Sequence, residues 1–267
     1  MFIGLSLAGQ TSDFFLPINF NFKNLYMIHL TQKTAFITGG TKGIGFGIAQ
    51  ALLSQGVSVA FTGRHKAGVA QAQELLKHHC HDSDVKGYKA DVGVFDDLDR
   101  AARSAVKDFG GVDLVIANAG VGHFAPVHEL SLDQWHETIN TNLTGVFYTL
   151  KVLAQQLIQH RGYFISISSL AGTNFFGSGS AYNASKFGVT GFTQAAMLDL
   201  RQFGVKMTTI MPGSVATYFN NHTPDDSDFW KIQQEDIGQM VVDLIKMPPR
   251  TLPSKIEVRP TVPGGLK

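Results

Sequence analysis

From residue 33 onward, short runs of apolar and β-branched residues alternate with longer segments in which apolar residues recur at helical spacing. The short runs predict seven strands: TAFIT, VSVAFT, VKGYKA, VDLVIA, GYFISIS, VKMTTIM and KIEVRP. The longer segments predict helices that begin near Gly43, Lys66, Val94, Ser131, Ala181 and Glu235. This alternation is typical of a parallel sheet with helices on both faces. The pattern therefore predicts an α/β fold of three layers with a doubly wound, seven-stranded parallel sheet.

The chain has 267 residues and no segment in its middle that resembles a linker. We therefore expect a single domain over residues 31–267. Residues 1–30 are apolar and aromatic, but they lack a basic start, a long apolar run and a clear cleavage site. They predict an N-terminal extension of uncertain order and neither a signal peptide nor a membrane span. Either this extension is native, or translation starts at Met27.

The charges are nearly balanced, with 22 Lys and Arg against 21 Asp and Glu and a net charge of +1. This balance argues against nucleic acid or an anionic membrane as the main partner. The single cysteine, Cys80, cannot form an internal disulfide and favours a reducing compartment, so we expect a cytoplasmic protein. It lies in the run His78–His81, where four adjacent side chains cannot all face one ion. We therefore predict no metal site.

A glycine-rich loop, TGGTKGIG, follows the first strand and leads into the first helix. Glycines let a pyrophosphate approach the backbone, and a helix N-terminus offers free N–H groups and a partial positive charge. Gly39, Gly43 and Gly45 have the spacing G-x-x-x-G-x-G, which differs from the commoner dinucleotide fingerprint. Taken alone, the loop is also compatible with an ordinary tight turn.

Two further tripeptides end the third and fourth strands. ADV, residues 90–92, offers an Asp side chain that suits an adenine amino group. NAG, residues 118–120, offers a turn of small residues against which a ribose can lie. Ligands of doubly wound sheets bind at these carboxyl ends, so the three motifs together predict a nucleotide site.

These motifs, together with NLTG at residues 142–145, ISS, AYNASK and the PG of residues 212–213, resemble those of the short-chain dehydrogenase/reductase (SDR) family in order and spacing. The resemblance covers residue 33 to the end and implies a Rossmann-type fold and a nicotinamide cofactor. It implies that the cofactor contacts Gly39, Thr41, Lys42, Gly43, Ile44, Gly45, Arg64, Asp91, Val92, Asn118, Ala119, Gly120, Tyr182, Lys186, Pro212, Gly213, Val215 and Thr217.

Tyr182 and Lys186 are four residues apart and share one face of a predicted helix. A free tyrosine has a pKa of about 10, and a neighbouring ammonium should lower that pKa and make the phenol a better acid or base near neutrality. Ser169 lies thirteen residues before Tyr182, the separation of the family's catalytic serine, and its hydroxyl suits a substrate oxygen on which charge develops. Ser168 should face the other side of the strand. The resemblance implies that Asn142 binds a water linked to the lysine.

Each of these four residues also has an ordinary structural interpretation, as a cap, a packing residue or a solvated side chain. A hydrolase is disfavoured, because no serine lies in G-x-S-x-G and no histidines form H-E-x-x-H.

The second strand ends in VAFTGRHK, so Gly63 stands where the family places an acidic residue that binds the ribose hydroxyls. Arg64 follows it, and a guanidinium suits a ribose phosphate, with Lys42 as a second cation nearby. We therefore predict that NADP(H) is favoured over NAD(H).

Loops after the fourth, fifth and sixth strands should line the substrate pocket with an aromatic, mostly apolar surface. The predicted pocket residues are His123, Phe124, Asn174, Phe175, Phe176, Ser214 and Tyr218. The segment after PGSVAT is shorter than the family's usual lid and predicts a more open pocket.

The sequence thus predicts an NADP(H)-dependent oxidoreductase that interconverts a small-molecule ketone or aldehyde with an alcohol, with Tyr182 as general acid/base. A 3-oxoacyl-[acyl-carrier-protein] reductase is the specific alternative, and a catalytically inactive nicotinamide-binding regulatory protein is the alternative from another class. We expect a homo-oligomer, either a dimer or a tetramer.

Overall fold

All seven predicted strands form one parallel sheet in the computed structural model, which describes residues 30–80 and 84–262. In chain order the strands are β1 (Thr34–Ile37), β2 (Ser58–Gly63), β3 (Val85–Lys89), β4 (Leu114–Ala117), β5 (Tyr163–Ile167), β6 (Lys206–Pro212) and β7 (Lys255–Val258). Their order across the sheet is β3-β2-β1-β4-β5-β6-β7, so the winding direction reverses between β1 and β4. The prediction of a doubly wound, Rossmann-type fold is confirmed, and a ligand is expected at this reversal.

The helices connect successive strands and begin within one residue of their predicted starts. They are α1 (Gly43–Leu53), α2 (Lys66–Lys77), α3 (Phe95–Phe109), α4 (Leu132–Ile139), α5 (Gly145–His160), α6 (Ser180–Leu200) and α7 (Gln234–Lys246). The segment predicted to begin near Ser131 forms two helices, because the π-helical turn Asn140–Thr144 separates α4 from α5. Ser131 caps α4 and accepts a hydrogen bond from the Gln134 backbone N–H.

Side chains of β1 alternate between two apolar cores on the two faces of the sheet. Ala35 and Ile37 pack with buried residues of α1, α2 and α7. Phe36 faces the opposite side and packs with buried residues of α3, α5 and α6. Because both faces are covered, the strand ends are where polar groups can meet a ligand.

The predicted N-terminal extension up to residue 29, His81 of the His/Cys run and residues 263–267 lie outside the described residues. Within the part of the chain that is described, no helix combines the length and apolar character needed to cross a membrane.

Candidate active site

The glycine-rich loop adopts a backbone that requires glycine at two positions. Gly39 and Gly43 have φ values of 66° and 59°, in the left-handed region. A Cβ atom at Gly39 would also lie only 2.9 Å from the Cα of Ala119. The loop after β1 therefore packs directly on the NAG turn after β4, at the reversal of the sheet.

The N-terminus of α1 is open to an anion. Lys42 is the N-cap residue and its side chain makes no capping hydrogen bond, and the first turn contains no acidic residue. The first N–H groups of a helix have no partner within the helix, and they suit a phosphate. These residues therefore fit the pyrophosphate of a dinucleotide.

Thr38 joins the glycine-rich loop to the NAG turn, a role that the sequence did not predict. Its Oγ1 accepts hydrogen bonds from the backbone N–H groups of Asn118 and Ala119, at 3.0 and 3.2 Å. The Asn118 side-chain amide donates to the carbonyl oxygens of Thr38 and Gly39, both at 3.0 Å. These bonds fix the spacing between the two loops on which a cofactor would lie.

Asp91 of the ADV tripeptide lines a cavity of about 250 Å³, together with Arg64 and Glu137. Asp91 Oδ1 accepts a hydrogen bond of 2.9 Å from the Gly93 N–H, and Val92 is buried. The cavity lies beside the ends of β2 and β3, where the resemblance implies adenosine.

Two residues predicted for different subsites share one partner that the sequence did not reveal. Arg64 Nη1 lies 3.2 Å from Glu137 Oε1, and His123 Nε2 lies 2.8 Å from Glu137 Oε2. The hydrogen bonds from His123 and then Arg64 lower the pKa of Glu137 below its ordinary value, against the opposing effect of burial. Glu137 therefore connects the predicted phosphate-binding arginine with the predicted substrate loop.

Gly63 has little room for the acidic side chain that the family commonly places there. A Cβ at Gly63 would lie 2.4 Å from Thr41 Cγ2 and 3.0 Å from Val69 Cγ2. An aspartate could enter only if the Thr41 side chain moved. The second predicted cation, Lys42, has its Nζ 5.5 Å from the ring centre of Tyr218.

The predicted reacting residues meet at the carboxyl end of β5. Ser169 follows β5, and its Oγ accepts a hydrogen bond of 3.1 Å from the Ala171 N–H. The Ser169 hydroxyl is also close enough to Tyr182 to lower the pKa of that phenol. Lys186 is buried one helical turn further along α6, and its Nζ lies 5.7 Å from the ring centre of Tyr182. Ser168 faces away, as predicted, because its Oγ donates to the carbonyl oxygen of Lys186 at 3.0 Å.

Burial, and not Lys186, dominates the pKa of Tyr182 in this structure, so the net shift is opposite to the predicted lowering. Burial raises the pKa of Tyr182, and the nearby Ser169 hydroxyl only partly opposes that effect. Burial also lowers the pKa of Lys186 from 10.5 to about 8. The loss of solvation is the dominant cause for both residues. Like an ordinary tyrosine with a pKa of about 10, Tyr182 is protonated near neutral pH, which is the form that can donate a proton.

The π-helical turn between α4 and α5 holds Asn142 inside the protein. Its side chain accepts a hydrogen bond from the Val121 N–H at 2.8 Å and donates to the Val121 carbonyl at 2.9 Å. It also donates to Ser185 Oγ at 3.0 Å. A Cβ at Gly120 would lie 3.4 Å from Asn142 Oδ1 and 3.7 Å from Lys186 Nζ, so both residues border the NAG turn. The predicted water-binding role of Asn142 stays a prediction.

An aromatic cluster covers Tyr182. The ring centres of Phe124 and Phe219 lie 5.4 and 5.6 Å from that of Tyr182, and Phe176 lies 5.9 Å from Phe124. Phe219 was not among the predicted pocket residues, although it directly follows Tyr218. The short segment after β6 therefore covers Tyr182, in contrast to the open pocket that its length suggested.

The remaining predicted residues differ in exposure and contacts. Phe175 is 86% exposed. Asn174 Nδ2 donates to the carbonyl of Leu170 at 3.3 Å. Pro212 ends β6, and the Gly213 N–H donates to the Val258 carbonyl at 2.8 Å. Ile44 and Val215 pack against the core on the side of α1.

Backbone hydrogen bonds pin both ends of the segment between β6 and α7. The Ala216 N–H donates to the Ile232 carbonyl at 2.9 Å, and the Ile232 N–H donates to the Ser214 carbonyl at 3.1 Å. Inside the segment, Asp228 pairs with His222 and Lys231, each at 2.5 Å. Thr217 faces the glycine-rich loop, because a Cβ at Gly43 would lie 3.3 Å from its Cβ.

Among residues 30–80 and 84–262, no three His, Cys, Asp or Glu side chains are grouped so that they could hold a metal ion. In the His/Cys run of the sequence, the His79 side chain instead contacts a neighbouring amide, with its Nε2 2.8 Å from Gln50 Nε2.

Comparisons with known proteins agree with this geometry. A family model described as short chain dehydrogenase matches residues 33–228. An uncharacterized oxidoreductase of Staphylococcus aureus (strain MRSA252) is 34% identical over 235 residues, which cover 88% of this chain and all of that protein.

Two solved structures are also similar. One is an alcohol dehydrogenase from the archaeon Thermococcus sibiricus complexed with 5-hydroxy-NADP, with a TM-score of 0.81, 27% identity and coverage of 86% of this chain and 97% of that one. The other is a metagenomic short-chain oxidoreductase in complex with NADP, with a TM-score of 0.77, 30% identity and coverage of 88% of this chain and 100% of that one. The chain belongs to the short-chain dehydrogenase family of oxidoreductases.

Proposed function

We propose that this protein is an NADP(H)-dependent oxidoreductase that interconverts a ketone or aldehyde with an alcohol by hydride transfer. The observation that carries the proposal is the position of the Tyr182 ring, 5.7 Å from the buried Lys186 Nζ, which borders the NAG turn of a fold whose α1 N-terminus is open to a phosphate. A proton donor next to a dinucleotide-binding loop is what carbonyl reduction requires.

Tyr182 is the general acid in the reducing direction and the general base in the reverse direction. The phenol is protonated at neutral pH, where an ordinary tyrosine with a pKa of about 10 is also protonated, so it can donate a proton in the reducing direction. Ser169 donates a hydrogen bond to the same substrate oxygen, where negative charge develops. Lys186 and Asn142 hold this group of side chains in place, and a bound nicotinamide supplies or accepts the hydride.

The preference for NADP(H) is supported by Arg64 and Lys42 and by the crowded Cβ position at Gly63. Arg64 can form paired hydrogen bonds to a ribose phosphate. The two similar solved structures are complexes with 5-hydroxy-NADP and with NADP.

The substrate class is an apolar or aromatic carbonyl compound. Phe124, Phe176 and Phe219 form an aromatic wall next to the proposed proton donor, and sugars prefer sites with more hydrogen-bonding groups. We also propose that the protein is a homo-oligomer and that it lies in the cytoplasm. The single cysteine supports the cytoplasmic location, because it favours a reducing compartment.

The experiment is a panel of ketones, aldehydes, quinones and a 3-oxoacyl thioester assayed with NADPH and NADH in both directions. The proposal predicts turnover with NADPH and an aromatic or apolar carbonyl. Exclusive turnover of the thioester would indicate a 3-oxoacyl-[acyl-carrier-protein] reductase. Tight NADPH binding without turnover of any compound would favour an inactive regulatory protein.

A further inference from the structure

An ion pair spans the cavity beside the ends of β2 and β3. Arg64 Nη1 and Glu137 Oε1 lie 3.2 Å apart, and both residues line the same cavity of about 250 Å³ together with Asp91. Glu137 belongs to α4, whereas Arg64 follows β2. Under the proposed function this cavity takes the adenosine part of the cofactor, so Arg64 already has an anionic partner where the ribose phosphate would bind.

We propose that Glu137 competes with the ribose phosphate of NADP(H) for Arg64 and thereby limits the preference of the protein for the phosphorylated cofactor. This inference rests on the proposed function, because it requires the phosphate to reach Arg64. Glu137 is then a specificity-determining residue that lies outside the motifs of the glycine-rich loop and of the β2 end.

The Arg64–Glu137 contact is weak enough to exchange. The side chains are 48% and 43% exposed, and ion pairs at such exposed positions contribute little to stability. A ribose phosphate offers Arg64 more charge and a second hydrogen bond. The guanidinium can therefore leave the carboxylate for the phosphate.

Glu137 keeps a partner after such an exchange. Its second oxygen, Oε2, lies 2.8 Å from His123 Nε2. The carboxylate therefore stays at the edge of the cavity and its negative charge acts against the incoming phosphate. Release of Arg64 and this repulsion both weaken phosphate binding, whereas a ligand without the ribose phosphate avoids both.

The test measures binding of two adenosine probes by calorimetry. Adenosine 2′,5′-bisphosphate contains the 2′-phosphate that distinguishes NADP(H) from NAD(H), and adenosine 5′-monophosphate lacks that 2′-phosphate. Glu137→Gln removes the charge and keeps the shape, and Glu129→Gln is the control, because Glu129 is an exposed glutamate that pairs with His128. Thermal melting confirms that both variants are folded.

Glu137→Gln should bind the bisphosphate about three- to tenfold more tightly and the monophosphate within about twofold of the wild type. Glu129→Gln should change neither affinity by more than about twofold. In an Arg64→Met background, the gain from Glu137→Gln should fall to about twofold or less, since only the relief of repulsion remains when there is no guanidinium to release.

Unchanged or weaker bisphosphate binding by Glu137→Gln would overturn the proposal, because Glu137 would then position Arg64 or have no effect. An equal gain for both probes would also overturn it. A wild type that does not prefer the bisphosphate would contradict the proposed use of NADP(H) itself, and that failure is visible without any Glu137 variant.

Discussion

Lys186 is anchored to Ile167, because its Nζ donates a hydrogen bond of 3.0 Å to the Ile167 carbonyl oxygen. Ile167 ends β5, and Ser169 follows it two residues later. The strand that positions the serine therefore also fixes the ammonium. This backbone contact holds Lys186 in a buried position where the charge of its amine is poorly solvated.

Tyr182→Phe should abolish turnover and leave NADPH binding within about twofold of the wild type, because the change removes the proton donor and little else. General acid catalysis contributes about a hundredfold or more, so kcat should fall at least that far. Steady-state kinetics and NADPH fluorescence titration measure the two effects. Retention of more than about a tenth of wild-type turnover would exclude Tyr182 as the proton donor.

Arg64→Ala should weaken NADPH binding by about tenfold and leave NADH binding nearly unchanged, since a charge-assisted hydrogen bond contributes about 1.5 to 3 kcal/mol. Lys42→Ala should act in the same direction but more weakly, because an ammonium lacks the paired geometry of a guanidinium. The ratio of kcat/KM with the two cofactors is the measurement. Arg103→Ala, which changes an exposed arginine on α3, is the control. An unchanged ratio in Arg64→Ala would show that Arg64 does not bind the phosphate.

Asn142→Ala should destabilise the protein by about 2 to 3 kcal/mol, because it leaves the Val121 N–H and carbonyl without their side-chain partners. The melting temperature should fall by roughly 5 to 10 °C. Asn140→Ala, in the same π-helical turn but exposed, should change stability by less than about 0.5 kcal/mol. Equal effects of the two variants would mean that the buried hydrogen bonds do not stabilise this turn.

Lys186 should make stability depend on pH in a known direction. Its pKa is about 8 in the folded protein against an ordinary value of 10.5, so the unfolded chain binds more protons between these values. The charged amine destabilises the folded state below about pH 8, and this cost decreases as the pH rises toward 10.5. The wild type should therefore gain about 1.5 kcal/mol relative to Lys186→Met between pH 8 and pH 9.5.

Urea unfolding at both pH values measures this difference in free energy. Lys66→Met, which removes an exposed lysine at the start of α2, separates the effect of burial from the loss of a positive charge. A difference between wild type and Lys186→Met that is independent of pH would contradict the lowered pKa.

Phe219→Ala should raise KM for aromatic ketones by about fivefold to tenfold, because an aromatic contact is worth about 0.5 to 1.5 kcal/mol beyond its buried area. KM for a small aliphatic ketone should change by less than about twofold. Phe229→Ala is the matched control, since Phe229 lies in the same segment and is 83% exposed. Equal changes in KM for aromatic and aliphatic ketones would show that Phe219 does not contact the aromatic substrate.

The sequence predicted the strands and most helix starts because these depend on local patterns. The strand TAFIT was predicted from its own run of apolar residues, and a helix was predicted to begin near Ser131, which caps α4 in the structure. The π-helical turn could not be predicted, because it depends on hydrogen bonds between Asn142 and Val121, which are 21 residues apart in the chain.

Sequence spacing was sufficient to place candidate site residues near one another. It could not indicate properties that depend on burial, or contacts between residues far apart in the chain. Tyr182, Lys186 and Ser169 came from their separations in the sequence. The raised pKa of Tyr182 depends on how fully the surrounding chain excludes water. Glu137 was missed because a glutamate on an exposed helix face has no pattern that sets it apart from other surface charges, and only the fold brings Arg64 and His123 to it.

The pinned segment between β6 and α7 has a consequence for how this protein can diverge. The hydrogen bonds that join Ser214 and Ala216 to Ile232 are between backbone atoms, so they hold the two ends of the segment together without using its side chains. Changes among the exposed residues of the segment, such as Phe229, leave these end bonds in place, whereas changes at Phe219 alter the aromatic contact with Tyr182. Under the proposed function, substitutions from Phe219 onward would change which carbonyl compound is accepted, whereas Thr217, which packs against Gly43, would have to be kept for the glycine-rich loop.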